Sequence, residues 1–79
     1  MEFKVTKEDI LNGEKNDPHN CAVALSIKRK IHGKKIVVCG DGITIDNPIF
    51  VMPLIVSDFI KNFDAGNYVK PFSFELDLE

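Results

Sequence analysis

The chain has little of what usually marks a short protein's chemistry. Of its 79 residues only Cys21 and Cys39 are cysteines, and they have no CxxC spacing, so neither a disulfide framework nor a zinc site is expected. No apolar run approaches the roughly 18 residues that a membrane helix needs, and no membrane partner is expected. The first ten residues, MEFKVTKEDI, alternate and carry charge, unlike a signal peptide. There is no GxxxxGK[ST] loop and no GxGxxG after a strand, which excludes a standard mononucleotide fold. His19, His32, Asp17, Asp41 and Asp46 form no i, i+4 ligand pair, so no metal is expected, and no cofactor. No nucleophile, acid and base set stands out, and the reading is that the protein is not an enzyme.

What is present is a balanced composition, 44% hydrophobic and 28% charged, which fits one globular domain over residues 1–79. A chain of this length is near the lower limit for an independent core and usually needs a staple. With disulfides and metal set aside, a homo-oligomer is expected. The reducing interior of a cell, the cytoplasm, is the expected location. A net charge of −2 argues against general nucleic-acid binding. Charge is nonetheless segregated: half of the ten Lys and Arg residues lie in KRKIHGKK, residues 28–35, while the last five residues, ELDLE, carry three acids.

Residues Glu2 to Val5 read as a short strand with Phe3 and Val5 on one face. Thr6 is placed to cap a brief helix, with Asp9 three residues on completing a near capping box; Asn12-Gly13 stops it. Asp17-Pro18 reads as the start of a longer helix, 18–31, with Asp17 as N-cap and Pro18 at the first helical position. On it Val23, Ala24, Ile27 and Ile31 share a stripe, Cys21 and Leu25 widen it, and Ala22, Ser26, Arg29 and Lys30 are left for solvent. Gly33 ends it. Lys35 to Cys39 is β-branched and reads as a central strand. Gly40-Asp41-Gly42 then turns the chain into a hairpin with Ile43 to Asp46. Ile49 to Met52 is a short strand or a continuation. Pro53 opens a third helix, with Ile55, Val56, Phe59, Ile60 and Phe63 on its apolar face. In the tail, Phe72, Phe74, Leu76 and Leu78 alternate with polar residues as a half-buried strand. The order β-α-α-β-β-α-β gives an α+β domain with helices packed on a mostly antiparallel sheet.

Three candidate sites follow. Cys21, near a helix start, could carry a lowered pKa, but His19 lies two residues away, roughly 200° around a helix, and Cys21 borders the apolar arc, so a packing role is expected. Cys39, inside KIVVC, is expected in the core. The basic segment is the sharpest signal: Lys28, Arg29, Lys30, Lys34 and Lys35 complement the negative end of a helix dipole, and they also suit an anion such as a phosphate. Self-association of this segment with the acidic ELDLE of another copy is a further possibility. Tyr68, after Gly66-Asn67, is the ring best placed to stack on a base, with core or interface packing as its structural alternative.

Three stretches, VTKEDI near the start, CAVALSIKR, and FIKNFDAGNYVKPFSFELDL, together resemble a group of small single-domain proteins common in bacteriophages and prophages. Their pattern runs V-T-x-E-D-I, then a C-P-V-A-L-A-like helix, then F-D-x-G-x-x-V-x-P-F-x-F-x-L. Phe63, Asp64, Gly66, Val69, Pro71, Phe72 and Phe74 carry the match; residues 32–52 lie outside it, and Ala22 stands where the pattern prefers proline. The resemblance implies no catalytic residue. It implies a host bacterial cytoplasm and a counter-defence role exerted by binding. Two forms are expected: an oligomeric sponge that sequesters a phosphate-bearing nucleotide signal through Lys28, Arg29, Lys30, Lys34, Lys35 and Tyr68, or a module that blocks a host defence protein through its acidic C-terminal strand, Glu75, Asp77 and Glu79.

Overall fold

The computed structural model describes residues 1–39 and 42–78. Along them run β1 (Glu2–Val5), α1 (Lys7–Asn12), α2 (Ala22–Lys30), β2 (Ile36–Cys39), β3 (Gly42–Ile45), β4 (Ile49–Val51), α3 (Leu54–Asp64) and β5 (Phe72–Glu75). This is an α+β domain in the expected order, with β4 as a short addition between the hairpin and the last helix. Its strand pairs are antiparallel and divide into two sheets, β1-β5 and β2-β3-β4.

The first sheet joins the two ends of the chain. Phe3 and Val5 point inward from β1 and pair with Phe74 and Phe72, so the tail's alternation and the short N-terminal alternation interlock on one face. Phe3 and Phe74 stack at 5.4 Å, and Phe72 meets Phe59 of α3 at 4.7 Å. Beyond β5, Leu76 is buried and its N–H donates to Met1 O at 3.1 Å.

α1 is held by the capping box its sequence announces: Thr6 Oγ1 accepts from Asp9 N, and Asp9 Oδ2 accepts from Thr6 N at 2.8 Å. α2 differs from expectation. It begins at Ala22, not residue 18, with Cys21 as an N-cap that makes no side-chain bond. Asp17 instead closes a separate turn, accepting from His19 N at 2.9 Å and Asn20 N at 3.2 Å. A continuous helix would give the Pro18 carbonyl to Ala22 N, but Val38 N of β2 donates to it at 2.8 Å. The tertiary bond wins, and the helix starts one turn later.

Ala22 and Ser26, assigned to solvent by periodicity, are buried. α1 packs on this second side of α2, with Gly13 directly against Ala22, and Ser26 Oγ satisfies itself by donating to Val23 O at 2.6 Å. Leu25 is only half-buried, whereas Arg29 and Lys30 are exposed as expected.

The hairpin of β2 and β3 is present, with Cys39 opposite Gly42; Gly40 and Asp41 of its turn lie outside the described residues. β3, not β2, is the central strand. Ile36, Val38, Ile43 and Ile45 point into the core, which sends Val37 and Cys39 outward. Cys39, expected in the core, is therefore exposed: alternation decides its face. On α3, Val56, Phe59 and Phe63 are buried and Ile60 is half-buried, but Ile55 of the expected stripe is 51% exposed.

Candidate functional site

The basic segment does not gather into one pocket. Arg29 reaches back to β1 and α1: its Nη1 pairs with Asp9 Oδ1 at 2.6 Å and its Nη2 donates to Lys4 O at 2.7 Å. Lys30 Nζ donates to Glu2 O and lies 5.7 Å from the centre of the Phe3 ring. Lys28 Nζ donates to Asn20 Oδ1 at 3.3 Å. Past the turn at Gly33, Lys34 Nζ pairs with Asp46 Oδ2 at 3.4 Å, and the Lys35 backbone N–H donates to Asp46 Oδ1. These bonds spread the segment over two places. Arg29 and Lys30 border a concavity of about 340 Å³ shared with Lys4, Thr6, Ser26 and the acidic Glu2, while Lys34 borders a separate one with Asp46, Phe50 and Leu78. Much of the cationic charge is thus occupied within the chain.

Tyr68 lies at neither place. It is 84% exposed, on the loop between α3 and β5. That loop is pinned at its start: Asn67 donates from its backbone to Asn62 O at 2.9 Å and from Nδ2 to Asn62 Oδ1 at 3.1 Å. Gly66, at φ 82°, makes the reversal that only glycine adopts freely. Tyr68 consequently borders a groove of about 460 Å³ with Lys7, Lys15, Ile10, Phe63 and Val69. Ile10 and Val69 are half-buried against the core and Phe63 is buried, forming an apolar floor. Lys7 and Lys15 stand exposed at the rim, and among the described residues neither makes an ion pair. No carboxylate lines the groove.

Lys7 and Lys15 were not among the sequence candidates. Each is isolated in the sequence, and only the packing of α1 and the following loop beside the end of α3 brings them to Tyr68. A scan for clustered basic residues finds 28–35 and passes over them.

Cys21 is 4% exposed, and burial pushes its thiol up from its ordinary value, the reverse of an activated nucleophile. His19 is exposed and takes part in the Asp17 turn through its backbone. Among the described residues, no three His, Cys, Asp or Glu side chains come together as a metal site, and no helix is long and apolar enough to cross a membrane. Comparison with protein-family models, with curated proteins and with solved structures finds no match to this chain.

Proposed function

We propose that the protein acts by binding, without catalysis, and sequesters a phosphate-bearing nucleotide in the groove at Tyr68. One observation carries this reading: an exposed aromatic ring shares an apolar-floored groove with two lysines and no carboxylate. A nucleotide offers the matching parts, a flat base to stack on the ring and phosphates for the lysines. Stacking a base on an aromatic side chain contributes about 1–3 kcal/mol. The resemblance to small phage and prophage proteins supplies the setting, in which a nucleotide signal of host defence is the ligand to remove. The site moves from residues 28–35 to Tyr68, Lys7 and Lys15, because Arg29, Lys30 and Lys34 already serve internal partners.

The test is native mass spectrometry and calorimetry with cyclic dinucleotides, ADP-ribose and inorganic phosphate. A retained nucleotide is expected, recovered unchanged after incubation, with affinity falling at least about tenfold in Tyr68→Ala and in the Lys7→Ala/Lys15→Ala pair. Binding that survives both variants, or no binding to any nucleotide, removes this assignment.

A second reading, blocking of a host protein through the acidic C-terminal strand, is favoured by the exposed Glu75 and Asp77 beside the buried Phe74 and Leu76; Glu79, the third acid of that expectation, lies outside the described residues. It requires a protein complex that Glu75→Lys/Asp77→Lys dissolves while the Tyr68 variants leave it intact.

A further inference from the structure

The two edges of the three-stranded sheet differ. On the outer side of β2, Val38 N donates to Pro18 O at 2.8 Å. At the other side lies β4. Its register with β3 pairs Ile49 with Thr44, Phe50 with Ile43 and Val51 with Gly42, and Ile45 N donates to Pro48 O at the start of the ladder. Bonded and non-bonded pairs alternate along an antiparallel ladder, so the Phe50 backbone faces β3 and the backbone groups of Ile49 and Val51 face outward. Among the described residues, nothing pairs with those outward groups.

The side chains on this edge are apolar and uncovered. Ile49 is 75% exposed and Val51 87%, and at the start of α3 Leu54 is 85% exposed and Ile55 51%. Native edge strands are usually guarded by a lysine, an inward charge or a bulge; β4 reads Ile-Phe-Val and carries no charge. Pro48 and Pro53 flank it, and neither has a backbone N–H to extend a ladder.

We propose that β4 pairs antiparallel with β4 of a second copy of this chain, forming a two-fold dimer with a continuous six-stranded sheet. In that register Ile49 faces Val51 of the other copy and Phe50 faces Phe50 across the axis, so the outward N–H and C=O groups of both strands bond each other. A second copy fits this edge because the edge is uncharged and self-complementary about the axis, as an isologous contact requires. The four exposed side chains present on the order of 400 Å² per copy, about half of the roughly 800 Å² per partner in a standard interface, and the paired backbones and flanking prolines add to it. Assembly is expected to stop at two because Pro18 already takes Val38 N on the far edge of the sheet and the flanking prolines limit the ladder. The pairing is independent of the Tyr68 groove.

Sedimentation equilibrium of the full chain and of Val51→Lys tests it, alongside hydrogen exchange at high and low protein concentration. The wild type is expected at twice the 8.9 kDa chain mass at micromolar concentration, with the Ile49 and Val51 amides protected only where the dimer forms. Val51→Lys, on an exposed side chain, is expected to be a monomer with unchanged circular dichroism. A wild-type monomer at about 100 μM overturns the proposal. So does a dimer unaffected by Val51→Lys, or one in which the Ile49 and Val51 amides exchange freely; should Val51→Lys fail to fold, those wild-type amides decide.

Discussion

Asp9 uses one carboxylate oxygen for its own helix and the other for Arg29: Oδ2 accepts from Thr6 N at 2.8 Å and Oδ1 pairs with Arg29 Nη1 at 2.6 Å. The carboxylate is almost wholly buried, while the guanidinium is half in water. Removing Arg29 therefore leaves a buried anion with a single donor, which costs about 1–3 kcal/mol. Arg29→Ala is expected to lower Tm by about 4–8 °C for each kcal/mol lost in a domain of this size, read by circular dichroism. In a double-mutant cycle with Asp9→Ala the two losses should not add, since the first already breaks the shared contact. Nucleotide binding at Tyr68 should survive Arg29→Ala once folding is confirmed.

Gly13 and Gly33 are both needed, for different reasons. A Cβ on Gly13 would sit 2.6 Å from Ala22 N and 2.8 Å from Ala22 Cα and Asp9 O, all backbone atoms that cannot swing aside. Gly13→Ala should therefore push α1 from α2 and cost about 1–3 kcal/mol. Gly33 has open space around it but a φ of 77°, so Gly33→Ala should cost about 1–2 kcal/mol through backbone strain alone. Gly33→Asn should recover part of that loss, because asparagine tolerates this region, while Gly13→Asn should not. Urea unfolding of the four variants separates the two mechanisms.

These contacts show which parts of the molecule are legible in sequence. The Thr6–Asp9 box and the Phe72-Phe74-Leu76 alternation are local patterns whose partners lie a few residues away or on a predictable face, and the structure has them as expected. Asp17-Pro18 reads as the start of α2 but closes a separate turn, and the helix begins at Ala22 because Val38 takes the Pro18 carbonyl, a choice made by tertiary pairing. Burial of Ala22 and Ser26 similarly depends on α1, which periodicity within one helix does not reveal. The basic run 28–35 is conspicuous in sequence, yet its partners Asp9, Asp46 and the β1 carbonyls come from elsewhere in the chain. Lys7, Lys15 and Tyr68 have no common sequence neighbourhood at all.

Two aspartates, half-buried Asp17 and exposed Asp46, tie stability to acid. The His19 backbone N–H holds the Asp17 carboxyl below its ordinary value of 3.8, and the Lys35 backbone N–H does the same for Asp46. A carboxyl whose folded pKa lies below its unfolded pKa stabilises the fold above the unfolded value and loses that contribution as pH falls through the folded one. The urea midpoint should therefore drop as the pH is lowered from about 4 through the depressed values. Asp17→Asn/Asp46→Asn, which keeps a carbonyl acceptor at each position, should fall less steeply across that window. An identical slope in the double variant would show that other carboxylates govern the acid limb.

The two thiols should differ sharply in reactivity. Cys39 stands on the outward face of β2 and is exposed; Cys21 caps α2 from inside the core, and its desolvation disfavours the thiolate. Only the thiolate attacks iodoacetamide, so Cys39 should be alkylated in the native protein at neutral pH and Cys21 at least about tenfold more slowly, its rate rising with urea as the fold opens. Mass spectrometry of the digested, time-quenched protein reads each site separately. Rapid native labelling of Cys21 would mean a reactive thiolate at the head of α2 and would reopen a cysteine enzyme as the reading of this chain.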